Sequence, residues 1–251
     1  MDPDLVLLRE LITGSPLIRA HPGRGRSEAA IERAEAVTGP LSPSYRWWLR
    51  EYGDGTLGGA ELGTVEPDPC ASVPLHHALR PEGGRLPFFA EQDGGDLHSF
   101  VPGGAGVEHP VVRRDHFTGE EERVAESFAG FLAVWTARES GLGDGPNPSV
   151  ARLWRSTPGV LLPGGVLIYG PHSLRERNET FGIARRAPHW TLVGDDGGGV
   201  GFFMRRHGRD RSSVYPLGLG AVDGDIAASG EPVTDDLTAW VDAGCPRGRP
   251  R

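Results

Sequence analysis

The chain has 251 residues, a formal net charge of −8, a hydrophobic fraction of 37%, and a heavy load of 38 Gly and 22 Pro. That length suits one large domain or two ordinary ones, and that composition favours turns and short elements over long helices. All 26 basic residues are arginine, which excludes lysine chemistry: no Walker-type phosphate loop, no Schiff base, no lysine-dependent nuclease motif.

Charge is unevenly placed. Residues 1–140 hold 22 Asp and Glu against 13 Arg, a net of −9, and residues 141–251 hold 12 against 13, a net of +1. An acidic front half argues against nucleic-acid binding there and for a basic partner, although a solvated acidic surface explains the same numbers. Cys70 and Cys245 stand far apart and in no metal spacing, as ordinary thiols of a reducing compartment do. "MDPDLVLLREL" has no basic n-region, and no stretch reaches the length of a membrane span, so the expected location is the cytoplasm.

In chain order, Leu5, Leu8 and Ile12 share one face of a short helix, and "PGRGR" (Pro22 to Arg26) is a loop. Ser27 caps a helix through Val37 with Ile31, Ala34 and Val37 inward, and Gly39-Pro40 ends it. Ser42-Pro43 starts the next helix, with a capping hydroxyl and a proline whose missing N–H costs nothing at the first position. Tyr45, Trp48, Leu49 and Tyr52 fall at i, i+3, i+4 and i+7, a core stripe.

From Thr56 to Val101 the chain reads as short strands. Leu86 to Glu91 and Leu97 to Val101 flank "QDGGD", a hairpin turn that needs positive φ. "HPVVRRDHF" is a further strand. "VAESFAGFLAVW" is helical, with Val124, Phe128, Phe131, Leu132 and Trp135 on one side. "GLGDGPNPS" (residues 141–149) is the best linker. Beyond it come a strand at Val166 to Tyr169 and a short helix "SLRERNETF" with Ser173 as cap. "HWTLVGDDGGGVGFFMRR" follows, then the strand "SSVYPLGLG". A last helix, "TDDLTAWVDAG", has Thr234 as cap and Asp235 and Asp236 in its first turn.

"LVGDDGGGVGFFM" (Leu192 to Met204) admits a metal loop, a phosphate loop or a turn. Position 12 from Asp195 is Arg206, not the glutamate of an EF-hand. "GDGTLG" (Gly53 to Gly58) is the one G-x-G-x-x-G match, and it follows a helix and opens none, so the Rossmann setting is missing. G-x-S-x-G and H-E-x-x-H are absent, and the histidines, His76-His77 included, have no metal spacing. The turn is favoured, with weak divalent binding at Asp195 and Asp196 left open. "RRHGRDR" (Arg205 to Arg211) is basic enough to touch phosphates. Without interleaved aromatics, a solvated hairpin end is the better reading.

The two halves repeat an order of elements. "FFAEQDGGDLHSF" and "WTLVGDDGGGVGFFM" are each strand, acidic Gly-rich turn, strand. "HPVVRRDHF" and "SSVYPLGLG" follow, and each half closes with a tryptophan-bearing helix, an arrangement expected of a tandem repeat.

"IERAEAVTGPLSPSYRWWLREYGDGTLGGAELGTVEP" resembles the opening of the SUKH superfamily, which includes fungal Smi/Knr cell-wall regulators and many bacterial immunity proteins. "FFAEQDGGDLHSF" and "AESFAGFLAVW" resemble its later hairpin and closing helix. In the second half "RNET", "GDDGGG", "SVYPLGLGAVDGD" and "DDLTAWVDAGC" are similar to the same family, and the likeness spans roughly 85% of the chain. The second copy departs from the pattern, since "SVARLWRSTPG" is too short for the family's opening helix pair.

The resemblance implies an α+β fold, mainly antiparallel sheets with helices packed on one side, in two tandem copies. The expected layout is an N-terminal helical extension at 1–23, a first domain at 24–140, a linker at 141–149, a shortened second domain at 150–245 and a tail at 246–251. It implies a non-enzymatic immunity protein that binds a cognate toxin, often a nuclease, with no catalytic residue; the acidic first half points to a basic toxin, and the residues themselves point to no metal, cofactor, nucleic-acid or membrane partner. A regulatory scaffold, and a metal- or small-ligand binder using the Asp/Gly turns, are the alternatives. The expected contact residues, at turns and helix ends, are Glu51, Asp54, Glu91, Asp93, Asp96, Asp195 and Asp196.

Overall fold

A computed structural model describes residues 4–65, 79–92 and 95–246. Short helices and three antiparallel sheets make an α+β fold among these residues. Asp93, Cys70, His76-His77 and residues 247–251 of the tail lie outside the described residues. The chain divides into two compact units, Ile12–Phe131, and Met1–Leu11 with Leu132–Arg251. The division therefore falls inside α1 (Leu5–Gly14) and inside α4 (Phe128–Glu139). It does not fall in residues 141–149, where Leu142 N donates to Ala137 O (2.9 Å) and Gly145 N to Leu142 O (3.1 Å).

In unit 12–131, α1 is followed by β1 (Ile18–Ala20), α2 (Glu28–Thr38), α3 (Pro43–Glu51), β2 (Gly55–Leu57) and β3 (Ala60–Glu61). Then come β4 (Leu86–Ala90), β5 (Leu97–Phe100), β6 (Val111–Arg114) and β7 (Glu121–Ala125), ahead of α4. The strands form sheets β1-β2-β3 and β4-β5-β6-β7, linked by the bridge of Leu62 with Phe89 and by Gly63 N donating to Phe88 O (2.6 Å). β7 is an edge strand whose Glu121, Glu122 and Arg123 are all exposed.

The aromatic stripe of α3 is the centre of this core. Tyr45, Trp48 and Leu49 are wholly buried, and the Tyr45 ring lies 5.0 Å from Phe100 and 4.9 Å from Phe128. Phe88 and Phe89 are consecutive, yet both reach Phe131, at 5.2 and 5.8 Å. A regular strand would send them to opposite faces. The register shift between Pro87 and Phe89 is the bulge that allows it.

Ser42 takes the N-cap position of α3 with Pro43 behind it, but its hydroxyl makes no capping bond to the helix. Glu108, from the β5–β6 connection, does the work: its carboxylate accepts from Ser44 N (2.7 Å), Ser44 Oγ (2.7 Å) and Ser42 Oγ. A carboxylate outcompetes a hydroxyl there because it meets the helix dipole with full charge. Other local expectations shift for similarly physical reasons. Ser27 caps α2 as expected, through Ala30 N at 3.2 Å. Val37, on the same face as buried Ala30, is 73% exposed rather than inward. Val124 belongs to β7, not to the helix. Leu5 is 41% exposed, while Leu7, Leu8, Leu11 and Ile12 are buried.

The other unit carries α5 (Pro148–Trp154), β8 (Val160–Leu161), β9 (Leu167–Ile168), α6 (Pro171–Thr180), α7 (Ile183–Arg186), β10 (Trp190–Asp195), β11 (Val200–Arg205), β12 (Tyr215–Gly218) and α8 (Leu237–Asp242). Its five strands pair in chain order, β12-β11-β10-β9-β8. A helix pair, α6 and α7, stands between β9 and β10, as α2 and α3 stand between β1 and β2. α6 starts at Pro171 with Gly170 at its N-cap, so Ser173 sits within the first turn rather than capping it. Asp236, not Thr234, caps α8, accepting from Thr238 N (3.0 Å) and Ala239 N (3.1 Å).

β10 is bulged between Leu192 and Gly194, and β9 pairs only with Gly194 and Asp195. Leu192 therefore turns an N–H and a C=O toward a place where the neighbouring strand has ended. Asn178 of α6 fills it. Its Oδ1 accepts from Leu192 N (3.0 Å), and its Nδ2 donates to Leu192 O and Leu174 O (both 2.8 Å). One side-chain amide thus stands in for a missing strand residue.

Candidate functional site

The β4–β5 and β6–β7 hairpins of unit 12–131 bring their tips together. Asp96, just before β5, accepts from His116 N (3.1 Å) and His116 Nδ1 (2.9 Å), and Arg113 Nε stands 3.8 Å away. The His116 bonds hold the Asp96 carboxyl below the usual carboxylate range. Asp115 folds the second tip by accepting from Phe117 N (2.9 Å) and Thr118 N (2.7 Å), and these bonds, that from Thr118 foremost, lower its pKa. The result lifts Phe117 out of the protein: its side chain is 87% exposed and rests on the His116 ring with centroids 3.7 Å apart. Exposed Glu120, Glu121 and Glu122 follow directly. Glu121 and Glu122 pair with Arg85 (2.8 Å) and Arg113 (3.1 Å), so the exposed ring stands beside a charged, partly paired surface, the composition of an interface anchor with a polar rim. Beside the first tip a groove of about 580 Å³ opens between β3 and β4, edged by Glu61 and Gln92.

No protein-family model matches the chain, and no curated protein is significantly similar to it.

The carboxylates expected to make contacts fall in both units, and most are engaged. Glu51 ends α3. Asp54 pairs with Arg26 at 3.1 Å, fastening the "PGRGR" loop to the end of α3. Glu91 meets His98 Nε2 at 2.8 Å, and Asp96 meets His116. These four belong to unit 12–131, where Glu91 and Asp96 share one turn: Glu91 N donates to Asp96 O at 3.0 Å. Asp93, which falls between them in sequence, is outside the described residues. Asp195 and Asp196 belong to the other unit. Asp195 accepts from the Tyr169 hydroxyl and from Gly197 N (2.8 Å), and Asp196 from Gly198 N (2.8 Å) and Val200 N (3.0 Å). Both aspartates bind their own turn, and Gly197 (φ +66°) and Gly199 (φ +102°) supply its left-handed backbone. "GDDGGG" is a hairpin turn. Among the described residues no three metal-ligating side chains gather.

The glycines of "GDGTLG" also have a packing reason. A Cβ on Gly53 would lie 2.2 Å from Arg24 O, and one on Gly55 2.5 Å from Arg19 O. Phe117 and the joining of the two tips were not anticipated. The signal was present in "RRDHFTGEEE", where Asp-x-x-Thr-Gly marks a tight turn with a lone aromatic inside it.

His98 is 2% exposed, and burial lowers its pKa from 6.5 despite the opposing pull of Glu91. The unfolded chain takes up a proton near pH 6.5 that the folded His98 refuses. The stability this gives is therefore complete above about pH 6.5 and is lost as pH falls through the folded pKa. The melting temperature should drop between pH 7.5 and 5, and the drop should be shallower in His98→Gln. Half-buried His172, shifted the same way by desolvation, leaves a residual slope. An unchanged slope in the variant would remove His98 from the account.

Proposed function

We propose that this chain is a non-enzymatic, cytoplasmic immunity-type protein that neutralises a basic cognate toxin, such as a nuclease, by binding it. The observation that carries the reading is Phe117, an almost fully exposed aromatic ring raised on joined hairpin tips, with the exposed acidic run Glu120–Glu122 following it in the chain. Unit 12–131 has 18 Asp and Glu against 11 Arg, a net of −7, so its field steers a basic partner toward the tips. The SUKH resemblance supports the same reading. So does the recurrence, in each unit, of a helix pair followed by a bulged hairpin with an acidic Gly-rich turn, which favours two tandem copies.

The test is capture from lysate of the source organism under toxin-expressing conditions, read by mass spectrometry. One stoichiometric basic partner is expected. Truncating an interface anchor costs about 2 kcal/mol or more, so Phe117→Ala should weaken that partner roughly 30-fold. Glu120→Arg should slow association and flatten its salt dependence. Several substoichiometric housekeeping proteins, or a partner indifferent to both variants, would overturn the reading in favour of a scaffold or of another face.

A further inference from the structure

The basic run "RRHGRDR" does not stand alone. α5 brings Arg152 and Arg155 to the same cavity as Arg206, His207 and Arg211, a concavity of about 600 Å³ within the unit holding residues 132–251. That volume is typical of small-ligand sites.

The charges are poorly neutralised. Arg152 pairs with Asp236 at 2.8 Å, and Asp144, the one carboxylate lining the cavity, is already paired with Arg138 at 2.9 Å. Arg155, Arg206 and Arg211 have no carboxylate partner among the described residues. Arg206 is also aimed. Its Nε donates to Thr191 Oγ1 at 2.8 Å and its backbone N to His189 O at 2.9 Å, so the guanidinium is held at its base, and among the described residues its terminal nitrogens are unengaged. Like charges drawn into one concavity repel, and a multivalent anion removes that cost.

Asn147 adds an independent sign. It is 4% exposed and lines the cavity. Its Oδ1 caps α5 through Ser149 N and Val150 N (both 3.0 Å), while its Nδ2 is buried with no hydrogen-bond partner among the described residues. A buried donor left unmet is costly, and an anionic oxygen is the acceptor that would satisfy it.

We propose that this cavity binds an oligophosphate group, free or as the phosphates of a nucleotide. Planar guanidinium forks converging from two elements match phosphate oxygens in pairs, and the site stays charged at every physiological pH. The inference is independent of the partner-binding reading, which concerns the other unit.

Calorimetric titration of the full chain with inorganic pyrophosphate, with ADP and with citrate tests it. Saturable one-site binding of pyrophosphate is expected, weakened about tenfold by Arg155→Ala and again by Arg211→Ala, and unaffected by Arg209→Ala. Asn147→Asp keeps a capping oxygen but turns the unmet donor into an acceptor, and should abolish binding with the melting temperature intact. Tighter binding of ADP than of pyrophosphate assigns a nucleotide, and equal binding assigns the phosphates alone. No heat at millimolar pyrophosphate, citrate binding as tightly, or indifference to the arginine variants would overturn the proposal.

Discussion

Replacing Asn178 by alanine is expected to loosen β10 more than any other change to a polar side chain in this protein. Asn178 is 8% exposed and satisfies both backbone groups of Leu192. Alanine leaves a buried N–H and a buried C=O unmet, at about 1–3 kcal/mol each, partly offset if water enters. A net loss of about 3 kcal/mol is expected. It should be read at the site itself, as a roughly 100-fold fall in hydrogen-exchange protection of the Leu192 amide. Asn178→Asp should be at least as damaging, because a carboxylate cannot donate to the Leu174 and Leu192 carbonyls and would face them with like charge. Protection unchanged in both variants would mean that the strand edge is satisfied without α6.

The second large effect is expected at Tyr45. Its ring is wholly buried against Phe88, Phe100 and Phe128, and its hydroxyl donates to Gly63 O. Burial raises its pKa far above the ordinary phenol value, so it remains a donor at every pH of interest. Tyr45→Ala removes the ring and leaves a cavity, a loss of about 3–5 kcal/mol. Tyr45→Phe removes only the hydrogen bond, about 1–2 kcal/mol. Urea unfolding of both variants separates the two contributions. Equal losses would mean that the hydroxyl, not the ring, anchors α3 to the sheet.

Much of this architecture could be read from local patterns. The α3 stripe, the Ser27 cap, the Gly39 stop and both Gly-rich hairpins depend on neighbours a few residues apart, and the periodicity carries them. What escaped depends on long-range contacts. Glu108 lies 64 residues from Ser44, so the true cap of α3 had no local mark. The bulges at β4 and β10 appear only when two apolar neighbours must face one core. The candidate interface was half legible: Glu91 and Asp96 were singled out for their turn, but the union of Asp96 with His116, beside Phe117, needed the register of β5 against β6. The basic cavity was legible on one side only, because nothing in "RRHGRDR" announces that α5 will deliver two more arginines to it.

The charged edge of β7 has a consequence for how a binding partner could change over time. Glu121, Glu122 and Arg123 are charged and exposed on that edge strand, which discourages strand addition by another chain. Under the proposed binding role, recognition rests on side chains of the hairpin tips, where no ladder hydrogen bond depends on residue identity. A lineage could rewrite its target preference by exchanging Phe117 and the acids beside it, one substitution at a time, while the sheet that carries them stays unaltered.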